Sequence, residues 1–268
     1  MGRYLVAFLL FFITISSFSQ EFSRKDSLRG NLTPIRTCYD VTFYDLKVMI
    51  DEQEKSIERS YNIIHFTALT DFSWFQIDLA SNMEVQIIEF EKSQLEFSRE
   101  FDAVYVYFNR EVKKGEQLSI KVWYGGYPRV AVNAPWDGGF SWKNDKNGNP
   151  WIGVSCQGLG ASVWWPCKDH PTEEPDSMAI NITVPSNIMC VANGRLREKV
   201  ETDVKTTYKW FVSKPINNYN VSVNIANYAV IADTIHSITG IQPATYYVLD
   251  YNEAVAKEHF KEARDMMR

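Results

Sequence analysis

The sequence predicts an all-β fold, a large multi-stranded antiparallel β-sandwich followed by one C-terminal helix. Three observations lead there. Short runs rich in Val, Ile, Phe and Tyr recur from Tyr39 to Leu249 with period-two alternation. Polar turns such as Asp51-Glu52-Gln53-Glu54-Lys55 and Lys113-Lys114-Gly115-Glu116 separate them, and no helical pattern intervenes. Helical periodicity enters only at the end, where Ala256, Phe260, Ala263 and Met267 fall on one face.

The N-terminal residues form a separate unit. Arg3 precedes an apolar run from Leu5 to Ile15, and Ser17-Phe18-Ser19 supplies the small residues a signal peptidase reads. Residues 1–19 are therefore expected to be a secretory signal peptide cleaved before Gln20, which places the mature protein in the periplasm or outside the cell. The apolar run falls short of the ~20 residues a bilayer span needs, so no stable membrane span is expected after cleavage. Gln20 to Pro34 is polar and irregular and reads as a flexible lead-in.

From Cys38 the strands begin. Tyr39, Val41, Phe43 and Asp45 are expected on one face, and Leu46, Val48 and Ile50 continue the alternation. The return strand runs from Ile57 to Leu69, making a long hairpin. Further strands are expected at Phe72 to Leu79, Glu84 to Phe90, Ala103 to Phe108 and Gln117 to Tyr124. Between Gly125 and Pro171 the character changes. Six of the eight Trp lie between Trp123 and Trp165, interleaved with Gly138-Gly139, Asn147-Gly148-Asn149 and Gly158-Leu159-Gly160. Loops of this composition are expected at the surface, carrying function or packing over a neighbouring domain. Strands resume at Met178 to Val184, Ile188 to Ala192, Thr206 to Phe211, Val221 to Ala226, Tyr228 to Ile231 and Thr245 to Leu249. The terminal helix, Asn252 to Arg268, has Asn252 or Asp250 as candidate caps and Glu253–Lys257 as an i, i+4 pair. It shows no closing Gly, so it is expected to be cut rather than completed.

Composition limits the function. At 45% hydrophobic and 23% charged, the chain is that of a folded protein with ample core. A net charge of −5 without any basic run argues against nucleic acid and anionic membrane surfaces as partners. Four Cys (Cys38, Cys156, Cys167 and Cys190) allow three complete disulfide pairings, and burial as small apolar side chains is the plainer reading. His65, His170, His236 and His259 offer no pair four apart, so no helix presents two imidazoles to zinc. His259 with Glu262 reads as a solvated helix face. His170 among Asp169, Glu173, Glu174 and Asp176 reads as a solvated acidic loop. Gly153-Val154-Ser155-Cys156-Gln157-Gly158 is one residue too long for a serine elbow. Gly158 and Gly160 lack the Lys-Ser or Lys-Thr of a phosphate loop.

One stretch carries more. Trp164-Trp165-Pro166-Cys167-Lys168-Asp169-His170-Pro171 follows Gln157 by a few residues, with Ser155-Cys156-Gln157-Gly158 before it. It resembles the signature of the aminopeptidase N-like zinc metallopeptidases, the gluzincin group that includes leukotriene hydrolase. The resemblance extends weakly to Tyr39-Asp40, Pro185-Ser186-Asn187 and Val191-Ala192-Asn193-Gly194. It implies that residues 20–249 are the saddle-like N-terminal β-domain and 250–268 the first helix of a truncated catalytic domain. It also implies that Gln157 is a substrate-binding residue, its carbonyl accepting from the substrate's free amine. No catalytic residue and no metal ligand is assigned within this chain. The zinc motif H-E-x-x-H and the G-x-M-E-N loop are absent from these residues. Zinc is thus expected in the full-length parent and not in this fragment, which is expected to be inactive alone. Peptide substrates would be met through the missing catalytic domain. Ser155 stands where some members carry a second amide, which leaves side-chain preference open. The rival reading is a secreted carbohydrate- or protein-binding β-sandwich with Trp136, Trp142 and Trp151 as a stacking platform.

Overall fold

The computed structural model describes residues 22–238 and 240–267. The predicted signal peptide, residues 1–19, lies outside them. Two short helices, α1 (Arg24–Gly30) and α2 (Pro34–Thr37), come first. Strands follow in order: β1 (Tyr39–Asp51), β2 (Ser56–Ala68), β3 (Phe72–Asp78), β4 (Met83–Phe90), β5 (Ser93–Gln94), β6 (Glu96–Glu100), β7 (Ala103–Val112) and β8 (Gln117–Gly126). The Trp-rich region contributes β9 (Gly139–Asn144) and β10 (Pro150–Ser155). Then come β11 (Ser177–Pro185), β12 (Met189–Ala192), β13 (Arg195–Glu201), β14 (Lys205–Val212), β15 (Val223–Ala226), β16 (Tyr228–Ser237) and β17 (Gly240–Leu249). Helices α3 (Glu253–His259) and α4 (Lys261–Met266) close the described chain.

The strands form an eight-stranded sheet ordered β13-β14-β11-β1-β2-β8-β4-β5, a four-stranded sheet β12-β15-β10-β9, a three-stranded sheet β3-β7-β6 and the hairpin β16-β17. This is the predicted all-β architecture. One pairing departs from the antiparallel expectation: β1 lies parallel to β11, from Phe43 beside Ser177 to Met49 beside Thr183. The chain leaves the large sheet after β8, forms β9 and β10 of the four-stranded sheet and re-enters beside β1 as β11, and such a long crossover permits a parallel neighbour.

Aromatic packing joins the layers. Tyr39 stacks on Phe75 of β3 at 4.3 Å, and Phe66 meets Phe75 at 5.3 Å and Phe108 of β7 at 6.3 Å, sealing the large sheet onto the three-stranded one. Trp165 meets Tyr44 of β1 edge-on at 5.0 Å, and Trp164 meets Phe140 of β9 at 6.3 Å. Both indoles are wholly buried, so the Trp-Trp pair is a wedge between the large and four-stranded sheets. That corrects the surface-loop reading for Trp164 and Trp165, whereas Trp136 and Trp151 are exposed. Full burial of an indole is worth several kcal/mol, as Trp→Ala costs of about 3–5 kcal/mol show.

Four further expectations change. The β1 alternation slips by one residue: Tyr39 and Val41 are buried, but then Tyr44, Leu46, Val48 and Ile50, not Phe43 and Asp45. A register shift between Val41 and Phe43 marks a bulge, whose extra residue reverses which side chains face inward. The lead-in is helical, capped by a reciprocal Ser23–Asp26 box and held by buried Leu28 and the Arg24–Glu100 and Lys25–Asp102 ion pairs. Strand β13 was not predicted because every side chain in it is exposed, leaving no apolar alternation to read. The terminal helix breaks at Phe260 into α3 and α4, and Asn252 makes no side-chain cap. The expected Glu253–Lys257 pair is present at 2.6 Å. Phe260 stacks on Tyr246 at 4.3 Å and Arg264 pairs with Asp233 at 2.6 Å, docking this end on β16–β17. No helix among the described residues is long and apolar enough to cross a membrane.

Candidate functional site

Gln157 stands in the turn that follows β10. The Cys156 carbonyl accepts from the Leu159 and Gly160 amides at 3.0 and 2.8 Å, closing the turn, and Gly158 and Gly160 take φ of +72° and +78°. The Gln157 side chain is exposed. The backbone N–H of Gln157 donates to Ser155 Oγ at 3.3 Å, and that hydroxyl donates to the Pro135 carbonyl at 2.8 Å. The Tyr219 hydroxyl donates to Gln157 Oε1. Beside the turn lies a hollow of about 620 Å³ whose walls include Arg29, Gly158, Asp169, His170, Asn217 and Tyr219. Arg29 of α1 donates to the Gly158 carbonyl at 3.0 Å, so the lead-in helix braces the same turn.

The Pro-Cys-Lys-Asp stretch builds the floor of this region. Cys167 exchanges backbone hydrogen bonds with Asp78 at 2.7 and 3.1 Å. The Asp169 carboxylate accepts from the Ala161 and Ser162 amides at 3.2 and 3.0 Å and from Ser162 Oγ at 2.6 Å. Gly160 is required here, because a Cβ would come within 2.1 Å of Asp169 Oδ2. Beneath it, Arg36 of α2 donates to Asp78 Oδ2 at 2.7 Å and to the Asp169 carbonyl at 2.8 Å, with Arg36 and Asp78 both buried. Lys168 Nζ reaches Glu173 and the Tyr39 carbonyl, each at 2.8 Å.

The acidic loop around His170 is therefore only partly solvated, with Glu174 and Asp176 exposed. Asp169 and Glu173 are buried, and their oxygens are spent on backbone amides, Ser162 and Lys168. A chain that returns three times to one buried point needs charged partners there to satisfy its polar atoms. Burial lifts the Asp78 carboxyl to about 6 even with Arg36 beside it. Burial likewise raises Glu173 against the pull of Lys168, and desolvation lowers His170. The four Cys are free and buried. Desolvation pushes the thiols up, Cys38 to about 11 and Cys156 to about 12, so these sulfurs pack as small apolar groups.

Among the described residues, no cluster of three or more His, Cys, Asp or Glu side chains could hold a metal ion. The described part of this chain does not fit a zinc centre. Nor do the three Trp of the rival reading share one surface. Trp142 is turned inward, stacked on Phe140 at 4.9 Å, while Trp151 points to the other side of the β9–β10 pair. Trp151 lines a hollow of about 290 Å³ with Pro135, Ser141 and Ser155, and Trp136 is 77% exposed.

Sequence reasoning singled out Gln157 and the Pro-Cys stretch but not Arg29, Arg36, Asp78 and Tyr219, which the structure places around them. Two signals pointed to part of that set. Gln76 and Asp78 interrupt an otherwise apolar strand, and Asn217-Asn218-Tyr219-Asn220 is an Asn-rich turn between strands.

No family model matches the chain, and no curated protein matches it. Solved structures do. An M1 zinc metallopeptidase from Deinococcus radiodurans superposes with a TM-score of 0.67 at 18% identity, covering 78% of this chain and 47% of that one. A mutant of the Deinococcus enzyme bound to a Tyr-Ser-Ala substrate gives 0.66 at 19% identity, covering 78% and 47%. Native yeast LTA4 hydrolase gives 0.62 at 16% identity, covering 80% and 32%. This chain thus spans about half the length of the bacterial structures and a third of the yeast one. Over about 78–80% of its length, the chain therefore shares the fold of part of these M1 zinc metallopeptidase and LTA4 hydrolase structures.

Proposed function

We propose that this chain is the substrate-pocket-forming β-domain of an exported zinc metallo-aminopeptidase that removes N-terminal residues from peptides. The observation that carries the reading is the placement of Gln157. An exposed amide stands on a turn fixed from both sides, at the edge of a hollow of about 620 Å³. A neutral carbonyl oxygen accepts from an N-terminal ammonium without adding a full charge, which suits counting one residue from a free amine. Neighbours of the same fold have been captured with a tripeptide substrate or with single amino acids, which agrees with a peptide end as the ligand. Zinc would be held by residues of the parent protein outside the described ones. Residues 1–19 would direct export and be removed.

The test compares the 268-residue chain with the full-length parent. Zinc content and hydrolysis of aminoacyl anilides are measured before and after chelation. The full-length protein is expected to carry zinc and lose turnover on chelation, and the 268-residue chain to show neither. A full-length protein inactive on substrates with a free α-amine, or a 268-residue chain with stoichiometric zinc and chelator-sensitive turnover, overturns the proposal.

A further inference from the structure

The geometry points to Tyr219 as a positioning residue for Gln157, holding the amide carbonyl ready for a substrate's α-ammonium; this rests on the amine-binding reading of Gln157. The Tyr219 hydroxyl donates to Gln157 Oε1 across 62 positions of sequence. A carbonyl oxygen has two lone pairs, so one is occupied by Tyr219 and the other stays open to a second donor. Left alone, an exposed Gln side chain samples many rotamers, and fixing it before the ligand arrives removes that ordering cost from binding.

Tyr219 is itself unusually well anchored for a residue 45% exposed. Its backbone amide donates to Asn217 Oδ1 at 3.0 Å. Asn217 Nδ2 donates to the Pro171 carbonyl at 2.6 Å, and the buried Asn218 donates to the Lys168 carbonyl at 3.0 Å. The next carbonyl, Asn220, accepts from Asn193 Nδ2 at 3.1 Å. The other side of the contact hangs from the same segment, since Asp169 grips the backbone at Ala161 and Ser162, just past the Gln157 turn. Lys168 to Pro171 is therefore the common support of both partners. It sets the distance between the Gln157 turn and the Tyr219 turn while its own side chains Lys168 and Asp169 stay buried. This gives the Pro-Cys-Lys-Asp-His-Pro stretch a role without any contact to substrate.

Two measurements test it. In the isotope-labelled 268-residue chain, the Gln157 side-chain NH₂ signal is assigned by its loss in Gln157→Ala. Tyr219→Phe, which deletes only the hydroxyl of a residue 45% exposed, is expected to shift and sharpen that signal while the Ala161 and Ser162 backbone amides stay in place. In the full-length parent, Tyr219→Phe is expected to lower kcat/KM about three- to tenfold on peptides with a free α-amine, mainly through KM. In the Gln157→Ala background the same substitution should cost nothing further. An unmoved Gln157 signal, or losses that add in the double variant, overturns the positioning role. If Gln157→Ala itself leaves kcat/KM intact, the amine-binding reading falls. The NMR comparison then still decides whether Tyr219 orders Gln157.

Discussion

Gly160→Ala is expected to be the most damaging single-methyl change in the Gln157 region. Gly160 has φ +78° and ψ 178°, a conformation essentially confined to glycine, and forcing alanine into it costs about 1–3 kcal/mol. The new Cβ would also lie 2.1 and 2.6 Å from the two Asp169 carboxylate oxygens. That carboxylate cannot step aside freely, because Ala161 N, Ser162 N and Ser162 Oγ all donate to it. Losing even one such charge-assisted bond costs about 1.5–3 kcal/mol. The two effects together give about 3–6 kcal/mol, a large part of a typical domain stability of about 5–15 kcal/mol. Urea unfolding followed by Trp fluorescence measures it. Gly158→Ala and Gly148→Ala are the controls: their φ values are +72° and +85°, and a Cβ at either meets nothing within 4 Å. They should lose only the backbone share, about 1–2 kcal/mol each. If Gly160→Ala leaves too little folded protein to titrate, the Asp169→Ala background removes the clash, and Gly160→Ala should then cost about the same as the controls. Gly160→Ala within about 0.5 kcal/mol of Gly158→Ala in the otherwise native chain refutes the Asp169 clamp.

Three further outcomes follow from the buried network and core. Asp78 sits at about 6 instead of 3.8, so between these values the folded chain keeps a proton that the unfolded chain has released. Its contribution is complete below about pH 4 and lost as pH rises through about 6, so the native chain should lose on the order of 2–3 kcal/mol relative to Asp78→Asn across that window; a pH-independent difference in unfolding free energy contradicts it. Arg36→Met leaves Asp78 buried without its cation and should cost about 3–5 kcal/mol at neutral pH by urea titration, whereas a loss under about 1 kcal/mol would show that the pair is dispensable. All four cysteines should resist alkylation in the folded chain and react on unfolding without prior reductant, since they are buried and free; fewer than four reactive thiols in denaturant would reveal a disulfide.

How much was legible follows from what kind of signal each element leaves. The long hairpin β1–β2 was read almost to its ends because both strands alternate and a charged turn separates them. The bulge after Val41 was not, since a one-residue slip is a property of pairing and leaves no mark in composition. Strand β13, charged on both faces, joins the sheet through its backbone bonds to β14 and through the Glu198–Lys209, Arg197–Phe211 and Lys199–Tyr208 contacts, with no buried apolar face. Trp164 and Trp165 looked like surface aromatics because Gly-rich neighbours suggested a loop; their burial depends on two sheets that meet only in the tertiary fold. At the candidate site, Gln157 and the Pro-Cys stretch were visible through resemblance. Arg36, Asp78 and Tyr219 act through contacts spanning 42 to 133 positions of sequence, which no local pattern encodes.

The measurement closest to the central claim is kcat/KM of the full-length parent and its Gln157→Ala variant, each on a peptide with a free α-amine and on the same peptide N-acetylated. If Gln157 accepts from the substrate ammonium, the substitution should cost about 1–3 kcal/mol of transition-state stabilisation on the free peptide, roughly 5- to 150-fold. On the acetylated peptide it should change little, because the ammonium it recognises is gone. An unchanged kcat/KM on the free peptide, or an equal loss on both, would take Gln157 out of the amine site and the proposed role of this domain with it.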